Sequence, residues 1–400
     1  MDDLILTLLL LLGLYLPSSS GGVSSAFFYW LSRLLSSLLL SCLVWRYGTR
    51  PGAVTFVSLP ITILLSICTL LSWPFRFQGS IFSGFLLLGF ILALDLRKVR
   101  PGRFAYKSLV AVNFVNIFLG FTILAGSSGL GRFLSTWYSE FYPELVPAML
   151  ELRKPVLTFA NHSVAGFYLY IMLWLNWENY KKTLSKLVLF FVLAELVLLI
   201  ALTSFTSTFF AVVTVTQIGI WLWKENRRAF GFAAVTLLFV SIAAVRLSNV
   251  YGDVVEELKV AWAVKMNSEI SGPLARYGEE GNVARKIMPY LRGNLPIGFG
   301  PPVTTDVIDS GILEYVLRGS AILLIVVYVG LYKCVRHNVS LRVPGLALFL
   351  AIVAFESGFA LMTYYRTAFL LPCVLVWLNH FCGLREGQNS PLLMKESQAI

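Results

Sequence analysis

Charged side chains make up only 13% of this 400-residue chain, so the few outside its basic loops are the first place to look for chemistry. Five arginines stand out: Arg153, Arg276, Arg285, Arg292 and Arg366. A guanidinium presents a rigid fork of N–H donors that matches the oxygens of a phosphate or carboxylate, which makes each a candidate anion ligand. The acid–base candidates are Asp309, its neighbour Asp306, and His162, because a carboxylate or imidazole near water can take the proton of an attacking hydroxyl. Each has a plainer reading. Arg153 could snorkel to lipid phosphate as an interfacial anchor, the three loop arginines could be solvated charge, and Arg366, in YYRTAF, could mark the interface beside Tyr364 and Tyr365. Asp309 could cap a helix N-terminus. His162 could be a structural donor at a helix start.

The elements that must hold these groups are membrane spans. A composition 57% hydrophobic, with a mean hydropathy of +0.76, excludes a set of soluble domains and implies an all-α polytopic membrane protein. A crossing needs about 20 mostly apolar residues. Twelve candidates lie near 4–17, 24–45, 52–74, 80–96, 107–127, 157–177, 186–203, 205–223, 229–247, 311–332, 343–364 and 367–383. The first is short and preceded by Met-Asp-Asp, which is not the basic start of a cleavable signal, so it is expected to stay as an anchor.

Alternate loops divide sharply by charge. One set carries Arg46 and Arg50, the run Arg97 to Lys107, Lys181, Lys182 and Lys186, Lys224, Arg227 and Arg228, Lys333, Arg336 and Arg342, then Arg385 and Lys395. These hold eighteen of the 32 basic residues, whereas the opposite short connections hold almost none. Basic loops are retained in the cytoplasm, so both termini are expected there. The net charge of +11 then reports orientation and not a nucleic-acid partner.

The organisation that follows is nine spans over residues 1–247 with a shorter outer loop at 128–156, a large outer loop at 248–310, three spans over 311–383 and a cytoplasmic tail at 384–400. In the large loop, residues 250–266 place Val254, Leu258, Ala261 and Trp262 at helical spacing, as in an amphipathic surface helix. Val283, Ile287 and Leu291 form a second stripe with Arg285 and Arg292 on the other face, interrupted by Pro289.

Charges inside spans are costly and therefore informative. Glu314 and Arg318 are four apart, the spacing of a helical ion pair. Glu195, Glu356 and Arg33 have no partner nearby in sequence, and either pair across the bundle or line a hydrated groove. Trp137, Tyr138, Phe141 and Tyr142 could stack on sugar rings or form an interfacial aromatic belt. The five cysteines show no CxxC or zinc-like spacing, so neither a metal site nor a disulfide framework is expected.

Three stretches in this order and topology resemble the O-antigen polymerase and O-antigen ligase superfamily of bacterial integral membrane glycosyltransferases. They are RKPVLTFANHSVAGFYLYI at 153–171, GNLPIGFG at 293–300 and DSGILEYVLRGSAIL at 309–323. The motifs cover about a tenth of the chain. Two departures stand beside them. TSFTSTFF at 203–210 lacks the Ser-Arg pair of many relatives, and VTTDVIDSG lacks the histidine typical of ligases, which favours a polymerase.

The resemblance implies a GT-C-like architecture in the bacterial inner membrane, with the large outer loop before the tenth span. It implies a glycan donor on undecaprenyl pyrophosphate and a glycan acceptor, a chain-length regulator as a possible partner, and no cofactor. Arg153, Arg276, Arg285, Arg292 and Arg366 would bind the pyrophosphate and glycan, replacing a metal. Asp309, His162 or Asp306 would act as the base. The competing expectations are an O-antigen ligase, which moves a finished glycan to lipid A core, and a lipid-linked oligosaccharide flippase. Flippases tend to show two related halves with substrate groups at the midplane, and no such repeat is present here.

Overall fold

A computed structural model describes residues 2–17, 25–71, 79–138, 145–159, 161–225, 227, 230–231, 233–235, 310–340, 342–359, 361–362 and 364–383. Most of the expected ninth span, the large loop up to 309 and the tail lie outside these residues.

The described residues are mostly helical. In chain order the helices are α1 (Asp2–Tyr15), α2 (Ser25–Tyr47), α3 (Leu59–Leu71, led in by a π-helical turn at Val54–Ser58), α4 (Gly79–Ala93) and α5 (Arg103–Leu124). Two short helices follow, α6 (Ser128–Tyr138) and α7 (Leu145–Glu151), then α8 (His162–Thr183), α9 (Lys186–Ala201) and α10 (Phe205–Glu225). The last three are α11 (Gly311–Asn338), α12 (Arg342–Glu356) and α13 (Tyr365–Gly383). A single bridge, Thr49 to Leu94, is the only β pairing among the described residues.

Three of these helices, over Arg103–Leu124, Thr206–Glu225 and Gly319–Asn338, are long and apolar enough to cross a bilayer alone. The others are shorter or, like α8 with Asn176, Glu178 and Asn179, more polar, so by that measure the described helices fall short of twelve crossings. Surface chemistry supports a membrane setting. Phe27, Trp30, Leu34 and Leu38 of α2, Ile322, Ile325 and Val329 of α11, and Val343, Leu346 and Leu350 of α12 are exposed at intervals of three and four. Stripes of this kind are the surface that a bundle presents to lipid.

Burial is deepest in α8, whose residues are almost all enclosed from Ser163 to Tyr180. Polar side chains tie its middle to its neighbours. Asn113 Nδ2 donates to Asn176 Oδ1 at 3.0 Å, and Asn176 Nδ2 donates to both oxygens of Glu195 at 2.9 and 3.0 Å. Asn116 Nδ2 donates to the Tyr168 hydroxyl at 2.7 Å, and Asn116 Oδ1 accepts from the Tyr15 hydroxyl at 3.1 Å. Where lipid gives no hydrophobic drive between helices, such interhelical bonds hold register. Glu195 is thus engaged across the bundle by an amide; the side chain of Arg33 is outside the described set.

The short first helix is central. Ile5, Leu6, Leu9, Leu10 and Leu14 are buried, and α1 packs between α13 and α5. Its 14 residues extend roughly 21 Å, less than the roughly 30 Å of a hydrocarbon core. One face is enclosed by protein, while Leu4, Leu8 and Leu11 stay exposed on the other.

Each end of α1 identifies an end of the bundle. At the start, Asp2 pairs with Arg46 at 2.8 Å, and Asp3 accepts from the Gly102 and Phe104 amides at 2.5 and 3.2 Å. The same end holds Asp95, which pairs with Arg97 at 2.8 Å and His337 at 3.3 Å, and Asn338, whose Oδ1 accepts from Leu96 N at 2.7 Å. The basic loops at 46–50, 97–103 and 333–338 therefore gather on one side. At the finish, Tyr15 and Leu16 meet the segment 138–159 and Arg366, the candidates for chemistry.

Candidate functional site

Two helices end at this second side in the same way. At the close of α5, Gly126 N donates to Ile123 O at 2.9 Å and Ser127 N to Thr122 O at 3.3 Å, with Gly126 at φ +76°. At the close of α7, Arg153 N donates to Leu150 O and Lys154 N to Met149 O, both at 2.9 Å, with Arg153 at φ +50°. This is the Schellman arrangement, whose left-handed position normally takes glycine. A side chain there carries a steric cost. Arg153 and Gly126 also meet: a Cβ on Gly126 would lie 3.2 Å from Arg153 Nε, so glycine leaves the guanidinium its place.

Beyond Arg153 the chain cannot remain helical, because Pro155 lacks an amide hydrogen. It turns through Val156–Phe159 and re-enters helix at Asn161, whose Oδ1 accepts from Ser163 N at 2.7 Å and Val164 N at 3.3 Å as an N-cap. His162 is the first residue of α8, half-buried, and Arg153 is likewise half-buried. Burial pushes the Lys154 ammonium below its ordinary range.

Arg366, the second residue of α13, has 0% exposure. Its Nη1 donates to Thr158 O at 2.6 Å, Thr158 Oγ1 at 3.2 Å and Leu14 O at 3.4 Å, and its Nη2 donates to Leu16 O at 3.1 Å. The guanidinium carbon lies 5.3 Å from the Tyr138 ring centre and 5.1 Å from that of Phe159. The residue expected at the interface or in an arginine cluster instead sits inside protein, joining α1, α6 and the turn before α8. The cavity beneath it, lined by Leu10, Leu109, Tyr168, Cys373 and Trp377, measures about 20 Å³. That is room for about one water and not for a sugar.

A third cluster surrounds Glu356, the last residue of α12 and fully buried. Tyr315 donates its hydroxyl to Glu356 Oε1, Tyr328 donates to Oε2 at 2.8 Å, and Met362 N donates to Oε1 at 3.0 Å. Three donors on one carboxylate offset part of the cost of enclosing it. α11 is capped by Ser310, whose Oγ accepts from Leu313 N at 3.5 Å, and it breaks at Gly319 and Ser320.

Of the sequence candidates, Arg153, His162 and Arg366 lie at this end, flanking the turn between α7 and α8. Arg276, Arg285, Arg292, Asp306 and Asp309 lie outside the described residues, as do Phe141 and Tyr142 and the side chain of Arg318. Glu314 is buried near the start of α11. Among the described residues no three His, Cys, Asp or Glu side chains converge as metal ligands. Tyr315, Tyr328 and Thr158 were not legible as partners of charged groups. The one available hint was a span glutamate with no partner near it in sequence, which required hydroxyls from elsewhere.

No family model, curated protein or solved structure matches the chain.

Proposed function

We propose that this chain is a glycosyltransferase that polymerises undecaprenyl-pyrophosphate-linked repeat units into O-antigen or exopolysaccharide at the outer face of the bacterial inner membrane. One observation carries the reading. The family-like stretches at 153–171 and 309–323, far apart in sequence, contribute helix starts to the same end of the bundle: Phe167 of α8 meets Phe355, the neighbouring Glu356 accepts from Tyr315 of α11, and the far end of α11 meets the basic side through Asn338.

In this reaction a sugar hydroxyl of the acceptor attacks the anomeric carbon of the donor. The bond to the pyrophosphate oxygen breaks, the lipid pyrophosphate departs with the electron pair, and the hydroxyl proton passes to a base. Arg153, at headgroup depth and partly accessible, suits the growing negative charge, with Arg276, Arg285 and Arg292 as further donors. His162, Asp306 and Asp309 are the proton acceptors under consideration.

The test is reconstitution of the full chain with lipid-linked repeat units. A ladder of elongated glycan is expected, and Arg153→Ala is expected to abolish it while the protein remains folded. Transfer to lipid A core in place of a ladder would identify a ligase. Lipid translocation without elongation would identify a flippase and overturn the proposal.

A further inference from the structure

The two tyrosines that meet Glu356 could not do so from an unbroken helix. Tyr315 and Tyr328 are thirteen positions apart in α11, which on a regular helix separates them by roughly 220° of rotation and roughly 20 Å of rise. Both hydroxyls nevertheless reach one carboxylate, one on each oxygen. The break makes this possible. Gly319 has φ −163° and ψ 26°, and Ser320 has φ +65° and ψ −176°, a region that side-chain-bearing residues rarely occupy. Ser320 is fully buried, and its Oγ accepts from Ile322 N at 3.1 Å, restarting the helix. Tyr315 belongs to the half before the break and Tyr328 to the half after it.

Glu356 thus has three donors and no cation in contact among the described residues. Its setting at the end of α12 adds a third element, because Met362 N comes from the turn leading to Tyr364 and Arg366. A strained backbone persists only where surrounding bonds over-determine it.

We propose that Glu356 is the latch of a broken helix: by accepting hydroxyl donors from both sides of Gly319–Ser320 it fixes the half-helix Gly311–Arg318, and it is a positioning residue for the reaction at that end. The reaction part of this inference rests on the glycosyltransferase reading; the latch itself does not. Releasing Tyr315 lets the short half-helix swing while the long half, held at Gly330 against Val57 and Leu92 and at Asn338 on Leu94 O, stays in place.

The experiment is hydrogen–deuterium exchange on the full chain in lipid nanodiscs, paired with the elongation assay. Tyr315→Phe and Glu356→Gln are expected to speed exchange over 311–318 by about tenfold or more, the loss expected when a charge-assisted bond opens a local segment. Exchange over 321–338 should stay at the wild-type rate in Tyr315→Phe, which also shows that the variant is folded. Tyr328→Phe, which leaves the outer bond in place, should raise exchange over 311–318 less. Elongation kcat should fall in Tyr315→Phe with KM unchanged. Unchanged exchange in both Tyr315→Phe and Glu356→Gln overturns the latch. Raised exchange with wild-type kcat overturns the positioning role and leaves the latch. A wild-type chain that elongates nothing overturns the glycosyltransferase reading, while the exchange data still decide the latch.

Discussion

Replacing Arg366 separates two roles that the sequence left side by side. If it is a hub, Arg366→Ala removes donors from Thr158 O and Leu16 O, whereas Leu14 O keeps its 2.5 Å bond from Thr158 Oγ1. Each buried carbonyl left alone costs about 1–3 kcal/mol. The stacking against Tyr138 and Phe159 adds about 1–2 kcal/mol. Removing the guanidinium also removes its own desolvation cost, so the net loss is expected at about 3–5 kcal/mol, below the sum of the lost bonds and stacking. Arg366→Lys, which keeps the charge but loses the fork, should fall between. Unfolding of purified variants in mixed micelles, followed by the fluorescence of the ten tryptophans, measures the loss. The order of stability should be wild type, then Lys, then Ala, with elongation activity following the folded fraction. An Arg366→Ala protein as stable as wild type but inactive would refute the hub and restore Arg366 as a ligand.

Arg153→Gly should behave in the opposite sense: relief of the left-handed backbone raises stability by up to about 1 kcal/mol in a thermal scan while elongation is lost. A Cβ at Gly166 would overlap Ser207 Oγ and sit 3.2 Å from Phe355, so Gly166→Ala should cost about 1–3 kcal/mol. Ser207→Ala removes a hydroxyl that is buried with no hydrogen-bond partner among the described residues, and should recover most of that loss in the double variant. Asp95 provides a pH test at the basic end. The Arg97 side chain, and then His337, hold its carboxyl well below the usual range. A carboxylate depressed by folding stabilises above its unfolded pKa, and that stability fades as pH falls through the folded value. Asp95→Asn should therefore cost about 0.5–1 kcal/mol at pH 7, the scale of a partly solvated pair. Its melting-temperature difference from wild type should shrink as pH falls below the ordinary carboxylate pKa of about 4.

The starts of several helices were the most legible feature. Helix starts at 25, 186, 205, 311 and 342 fall within one residue of expectation, because an apolar run bounded by Gly, Ser or basic residues states its own limits. The role of α1 was less legible. Hydropathy measures the preference for lipid and is blind to the packing of one face of this short helix on α5 and α13. The Schellman ending at Arg153 was hidden for a related reason: the sequence signal is glycine, and here arginine occupies the position. The break in α11 left a trace in Gly319-Ser320, yet a small-residue pair in an apolar run is compatible with a straight helix as well. What decides it is the third element, Glu356, whose distance in sequence no periodicity reports.

The same geometry discriminates between the two described arginines at the end opposite the basic loops. Both stand where helix C-termini concentrate negative partial charge: Arg366 on the last carbonyls of α1, and Arg153 at the end of α7 and against Gly126 at the end of α5. Position at that end therefore does not make an arginine a substrate ligand, since the helix ends themselves attract cations. Access does distinguish them. A pyrophosphate could reach Arg366 only by displacing the Thr158 and Leu16 carbonyls and parting Tyr138 from Phe159, which would undo the turn that sets the start of α8. Arg153 keeps part of its surface exposed, and its backbone occupies a conformation that glycine would hold at lower cost. If the chain transfers glycans from a lipid pyrophosphate, Arg153, accessible and placed at a steric cost, is the better ligand for the departing pyrophosphate, with Arg366 holding the frame around it.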